Sequence, residues 1–190
     1  MEYCDPAQHE NNGVVALTTS GNDTIVNGTF DWVYEEEFSC RDGFRWSADS
    51  KFIAYWNSNT AGTGWFNIIN NVDSIYPTVQ QFPYPKAGTT NSAVKVGFVD
   101  VDTQSTTWVP IPGDERNNYI PRMEFVPGTD RLMIQQMNRA QSLNTVWTVD
   151  IEDADASDLH VLCTDQDEAW VETNDNIHFL QGNKYFTFTS

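Results

Sequence analysis

Trp46-Ser47-Ala48-Asp49-Ser50-Lys51-Phe52-Ile53-Ala54-Tyr55 reads as an aromatic residue, a short turn, a basic residue and then an alternating strand. The arrangement returns in Phe125 through Arg131-Leu132-Met133-Ile134-Gln135, and again in Phe179 through Lys184-Tyr185-Phe186-Thr187-Phe188. Each copy places an aromatic before a hairpin whose second arm alternates. Further strands are expected at Val14–Thr19, Ala93–Val101, Thr106–Val109, Asn144–Ile151 and Leu159–Cys163. Helical periodicity is nearly absent. Short strands grouped with a repeated hairpin describe the blades of a β-propeller. A sandwich would use similar strands but would not repeat the hairpin. The expected fold is therefore all-β, a partial β-propeller of about two full blades plus partial blades. Residues 57–85 read as an insertion. So few blades do not close a ring, and the strand at Tyr185–Thr189, at which the chain stops, points to a piece of a longer protein.

The 190 residues carry 27 Asp and Glu against 10 Lys and Arg, a formal charge of −17. That balance excludes a nucleic-acid partner, which needs a basic footprint. It also disfavours anionic membranes and suits a cationic or amine-bearing ligand. No run of 18 apolar residues exists to span a bilayer, and the N-terminus has neither the basic nor the apolar region of a signal peptide. Cys4, Cys40 and Cys163 lack metal-ligand spacing and read as buried thiols. His9, His160 and His178 have no partner at a catalytic spacing and read as surface or hairpin residues. The acidic run Asp150, Glu152, Asp153, Asp155 and Asp158 has no glycine at the sharp-turn position of a calcium loop and reads as a solvated turn. No cofactor and no metal are expected.

One stretch stands apart: Asp31-Trp32-Val33-Tyr34-Glu35-Glu36-Glu37-Phe38. Three consecutive carboxylates among aromatic and β-branched neighbours repel one another, and burial there would make their ionisation costly. A cationic ligand would relieve both penalties. On a strand, Glu35 and Glu37 would share a face. In a helical turn, Glu36 and Glu37 would lean toward one ligand. An ammonium fits either arrangement, because a peptide α-amine titrates at about 7.7–8.0 and its charge-assisted hydrogen bonds are strong.

The same stretch resembles the double-glutamate motif of the dipeptidyl peptidase IV family of serine exopeptidases. Trp46-Ser47-Ala48-Asp49-Ser50 resembles the family's Trp-Ser-Pro-Asp turn, with Ala48 where proline is usual. Tyr84-Pro85-Lys86-Ala87-Gly88 followed by Asn91 matches a further signature. Asn118 to Met123 and Gln135 to Arg139 look like the bacterial branch. The likeness runs from Gly21 to the end and is loose over residues 1–20.

The resemblance implies an eight-bladed propeller over an α/β-hydrolase domain with a Ser, Asp and His triad. Residues 1–190 would be a fragment of the propeller, without catalytic residues of their own. It implies that Glu36 and Glu37, on a short helical segment, bind the substrate's free N-terminus, with Glu35, Tyr34 and Trp32 in support. Anchored there, a peptide would lose its N-terminal dipeptide, with proline or alanine second. Arg122 and Arg139 are expected to be structural. By the same analogy the parent protein is a homodimer located in the periplasm, on the cell surface or outside the cell. A non-catalytic propeller that binds peptide or protein is the alternative.

Overall fold

A computed structural model of the chain describes the backbone of residues 2–4 and, with side chains, residues 14–152, 156 and 158–188. In chain order the elements are β1 (Glu2–Cys4), β2 (Val14–Ala16), β3 (Ile25–Asn27), α1 (Trp32–Phe38), β4 (Phe44–Trp46), β5 (Phe52–Asn59), β6 (Trp65–Asn70) and β7 (Thr78–Pro83). There follow β8 (Ala93–Asp100), β9 (Thr106–Trp108), β10 (Asn118–Phe125), β11 (Arg131–Asn138), β12 (Leu143–Asp150), β13 (His160–Gln166), β14 (His178–Leu180) and β15 (Tyr185–Thr187).

Among the described residues the strand pairing is antiparallel, and all of it but the β6–β7 hairpin falls into blades. The first complete blade runs β3/β4, β5, β8, β9, and the second runs β10, β11, β12, β13. Two-stranded sheets, β1 with β2 and β14 with β15, stand for the flanking blades. The fold is the expected all-β partial propeller. The repeated hairpin is real at the level of single bonds. Ser47 N–H donates to Phe52 C=O (2.9 Å) and Ser50 N–H to Ser47 C=O (3.0 Å). In the next blade Val126 N–H donates to Arg131 C=O (2.8 Å) and Thr129 N–H to Val126 C=O (3.1 Å).

The long apolar runs follow from blades stacked face to face, because a strand buried on both sides has no polar face to alternate with. Along β5, Ala54 and Trp56 face the core shared with the second blade, while Ile53 and Tyr55 pack with Leu17 and Val99 on the other side. Along β11, Leu132 and Ile134 join that shared core, and Met133 turns toward Phe179 of the following hairpin.

Three features were not expected from the sequence. The insertion does not begin at Asn57, because β5 continues to Asn59 and pairs fully with β8. The inserted arm is the β6–β7 hairpin, whose Ile69, Val72, Ile75, Tyr76 and Val79 are exposed. The stretch Asn118–Met123 is the start of β10, disguised by Pro121, which sits where the register with β11 slips between Tyr119 and Arg122. Proline inside a sheet is accommodated at such bulges. Third, the thiols of Cys40 and Cys163 are free but only half-buried, and burial pushes both above the usual thiol range. His160 is exposed beside Asp158 (Nε2 to Oδ1 2.6 Å), and His178 is an exposed hairpin residue, as expected. His9, Asp153, Asp155 and the side chain of Cys4 lie outside the described residues.

The element that positions the acidic stretch is a seam in the first blade. β3 and β4 are two halves of one edge strand, with Asn27 opposite Asn57 and Phe44 opposite Tyr55. Trp56 falls between them and bridges the halves: its C=O accepts from Gly28 N–H (2.9 Å) and its N–H donates to Gly43 C=O (3.0 Å). Gly43 N–H closes the neck on Gly28 C=O (3.1 Å). Everything from Thr29 to Asp42, including α1, loops out from that neck. Gln135 occupies the corresponding place in β11, and the strand opposite it carries the Tyr119/Arg122 bulge. The two blades thus depart from regular pairing at the same level.

Candidate functional site

The acidic stretch is helical, which resolves the two readings left open by sequence. Asp31 is the N-cap: its Oδ1 accepts from Tyr34 N–H (3.3 Å), and its Oδ2 accepts from Ser92 Oγ (2.6 Å). Ser39 ends the helix in the left-handed region (φ 55°), and Cys40 N–H donates to Tyr34 C=O (3.0 Å). Tyr34 and Phe38, four residues apart, form the buried face. Phe30 stacks on Tyr34 at 5.4 Å, and Tyr119 lies 5.2 Å from Phe38.

The second blade grips this helix through its bulge. The Ile120 backbone leaves the β10–β11 ladder, and both its polar groups are satisfied by side chains instead. Its N–H donates to Tyr34 Oη (2.9 Å), and its C=O accepts from Trp56 Nε1 (2.8 Å). Burial pushes the Tyr34 phenol well above its ordinary pKa, with the Ile120 N–H pulling the other way. Tyr34→Phe keeps the ring and orphans a buried N–H, which is expected to cost about 1–3 kcal/mol in chemical denaturation.

Glu35, Glu36 and Glu37 are all exposed, which corrects the expectation that aromatic neighbours would bury them. In a helix those neighbours point to the opposite side. Among the described residues, none of the three carboxylates has an ion-pair or hydrogen-bond partner. Glu36 stands four residues after Trp32 and Glu37 four after Val33, so these four side chains share one edge of α1. They line a cleft of about 330 Å³ whose opposite wall is Tyr84-Pro85-Lys86-Ala87. Trp32, 42% exposed, leans on Phe82 (5.6 Å) and Tyr84 (5.9 Å) at the base of the inserted arm. Glu37 also borders a neighbouring hollow of about 300 Å³ with Asn91, Tyr119 and Arg139. Glu35 reaches neither space. Of the expected supporting residues, Trp32 lines the cleft and Tyr34 holds the helix from beneath.

The Tyr84–Gly88 motif is visible in the sequence, but that it faces the acidic helix is a feature of the fold alone. The segment is fixed by a turn in which Thr89 N–H and Oγ donate to Lys86 C=O (2.9 and 2.7 Å), with Gly88 at φ 78°. Ser92 then ties it to the helix N-cap. Arg139 donates to Thr89 C=O, in keeping with its expected structural role.

Arg122 was likewise expected to be structural, and it closes the other end of the helix. Its Nη1 donates to Phe38 C=O (2.8 Å) and Pro121 C=O (2.7 Å), and its Nε and Nη2 form a fork on the carboxylate of Asp175. These hydrogen bonds hold the Asp175 carboxyl below its usual range. A folded pKa below the unfolded value of about 3.9 gives stability that is present above that value and lost as pH falls through the lower one. Asp175→Asn is therefore expected to shrink the stability difference between about pH 6 and about pH 3, by under about 1 kcal/mol because Asp175 is 62% exposed. Urea midpoints across that range measure it.

The geometry defines a class: a section of β-propeller presenting a short acidic helix, looped out of a blade strand, at an aromatic-walled cleft. The chain matches the family "Dipeptidyl peptidase IV (DPP IV) N-terminal region" over residues 6–190, and it belongs to that family. It is 28% identical over 181 residues to dipeptidyl-aminopeptidase B of Aspergillus niger, covering 88% of this chain and 20% of the relative. It is 29% identical over 177 residues to inactive dipeptidyl peptidase 10 of Rattus norvegicus, covering 90% and 22%. Among solved structures it resembles Porphyromonas gingivalis dipeptidyl peptidase 4, with TM-score 0.81, 29% identity, and coverage of 94% of this chain and 25% of that one. The chain thus spans about a fifth of the length of the curated relatives it matches.

Proposed function

We propose that this chain is an internal part of the propeller of a dipeptidyl-peptidase-IV-like serine exopeptidase, and that Glu36 and Glu37 bind the protonated N-terminus of the substrate. The observation that carries the reading is a pair of unpartnered carboxylates on a helix fixed at both ends, lining one edge of a cleft. A peptide ammonium offers three donors to carboxylates that have no other partner. Its charge is retained at neutral pH, and the chain's acidic balance favours its approach.

In this reading the hydrolase domain with its serine, aspartate and histidine belongs to the parent chain outside these residues. Anchoring the amine fixes how far the peptide extends toward the serine, so dipeptides are released, with proline or alanine second. The parent functions as a homodimer, and the exposed apolar side chains of the β6–β7 arm suit a contact between copies. A second reading is favoured by the rat relative, which is named as inactive. In it the same helix captures free peptide N-termini without turnover.

The test is the full-length protein with an alanyl-prolyl anilide and its N-acetylated counterpart. Release of the anilide from the free-amine form alone supports the peptidase. Amine-dependent binding without release supports the capture module, and equal handling of both forms contradicts each reading.

A further inference from the structure

We infer that Arg122, held by Asp175, is a positioning residue that sets where Glu36 and Glu37 stand; this rests on the ammonium-anchor reading. The last turn of a helix leaves carbonyls without intrahelical partners and carries partial negative charge. α1 has no basic residue of its own in that turn. The cation comes from β10 of the second blade, as Arg122 Nη1 on Phe38 C=O (2.8 Å), one residue beyond Glu37.

That guanidinium is itself held in place. Its other edge grips Asp175, in the segment leading to the third blade. The neighbouring Asn174 is locked by the buried Gln135, whose Nε2 donates to Asn174 C=O (2.6 Å) and whose Oε1 accepts from Asn174 N–H (3.0 Å). The position of the acidic helix is thereby referred to three points: the neck at Trp56 in the first blade, the Ile120 bulge in the second, and Asp175 in the segment after β13. An ion pair this exposed contributes little to global stability. What the planar fork adds is direction, because it satisfies a carboxylate and a helix terminus at once. Lysine, a point charge, does not reproduce that geometry.

Affinities of Ala-Pro-Ala and of N-acetyl-Ala-Pro-Ala are to be measured on the full-length protein, with any hydrolase-domain nucleophilic serine replaced by alanine. The readout is their ratio, which loss of active fraction does not change. Arg122→Met and Asp175→Asn are expected to reduce the preference for the free amine about tenfold, since a misplacement of about 1 Å produces effects of that order or larger. Arg122→Lys is expected to restore only part of it. Should Arg122→Met fail to fold, Asp175→Asn, at an exposed carboxylate, carries the test. Glu37→Gln is the reference. If it abolishes the preference while the Arg122 and Asp175 variants keep the parental ratio, the positioning role is overturned and the anchor stands. If Glu37→Gln keeps the preference, the anchor reading fails and the inference falls with it.

Discussion

Glu36→Gln and Glu37→Gln are each expected to lower the affinity of the full-length protein for free-amine peptides about 10- to 100-fold, with N-acetylated peptides unaffected. A hydrogen bond to a charged group contributes about 1.5–3 kcal/mol, which corresponds to that range. A buried charge pair would give more, about 2–5 kcal/mol, but both carboxylates are exposed in the free chain. Glutamine keeps the size and one acceptor oxygen while removing the charge, so the change isolates the electrostatic part. The double variant is expected to lose less than the product of the two single effects, because residues sharing one ligand are coupled. Glu35→Gln is the internal control. It sits on the same helix with the same charge, reaches neither space at the cleft, and is expected to change affinity by less than about twofold. Equal losses at all three positions would mean that the helix acts only through its general field.

Gly43→Ala is expected to have the largest effect on stability, about 3 kcal/mol by denaturant midpoint. A Cβ at Gly43 would lie 2.5 Å from the Gly28 carbonyl carbon, 2.7 Å from Thr29 N and 2.9 Å from Gly28 O. All three are backbone atoms, so no side-chain rotation relieves the clash. The neck must open, releasing the Gly43–Gly28 bond and the bridge through Trp56. The excursion carrying α1 would shift with it, so amine-dependent peptide binding is expected to fall alongside stability. Gly64→Ala serves as the comparison. Its added methyl would come no closer than 3.8 Å to Tyr84 O, and it is expected to be near neutral.

These two variants mark where the sequence was readable and where it was not. The blades were legible because the aromatic, turn, basic and alternating-strand pattern needs no long-range information; each hairpin states it locally. The neck was not legible. Gly28 and Gly43 are ordinary turn glycines in sequence, and their approach depends on Trp56 closing both halves of one strand. The helix was readable in principle: Asp31 is a good N-cap whose side chain accepts from the Tyr34 N–H three residues on, and Tyr34 and Phe38 have helical spacing. Seven residues are too few for periodicity to separate it from a strand.

The expectation of buried carboxylates failed for the same reason. Neighbours in sequence are not neighbours in space here, because the helix sends Tyr34 and Phe38 inward and the glutamates outward. Pro121 hid the start of β10, and the resulting bulge is what frees Ile120 to bind Tyr34 and Trp56. The Arg122–Asp175 pair joins residues 53 apart in the chain, and nothing local announces it.

The most direct measurement is a crystal structure of the full-length protein with a proline-containing peptide bound. The account predicts the peptide's terminal nitrogen at about 2.7–3.2 Å from carboxylate oxygens of both Glu36 and Glu37, with Trp32 and Tyr84 flanking its first residue. A peptide whose N-terminus lies elsewhere, with Glu36 and Glu37 facing only water, would contradict it.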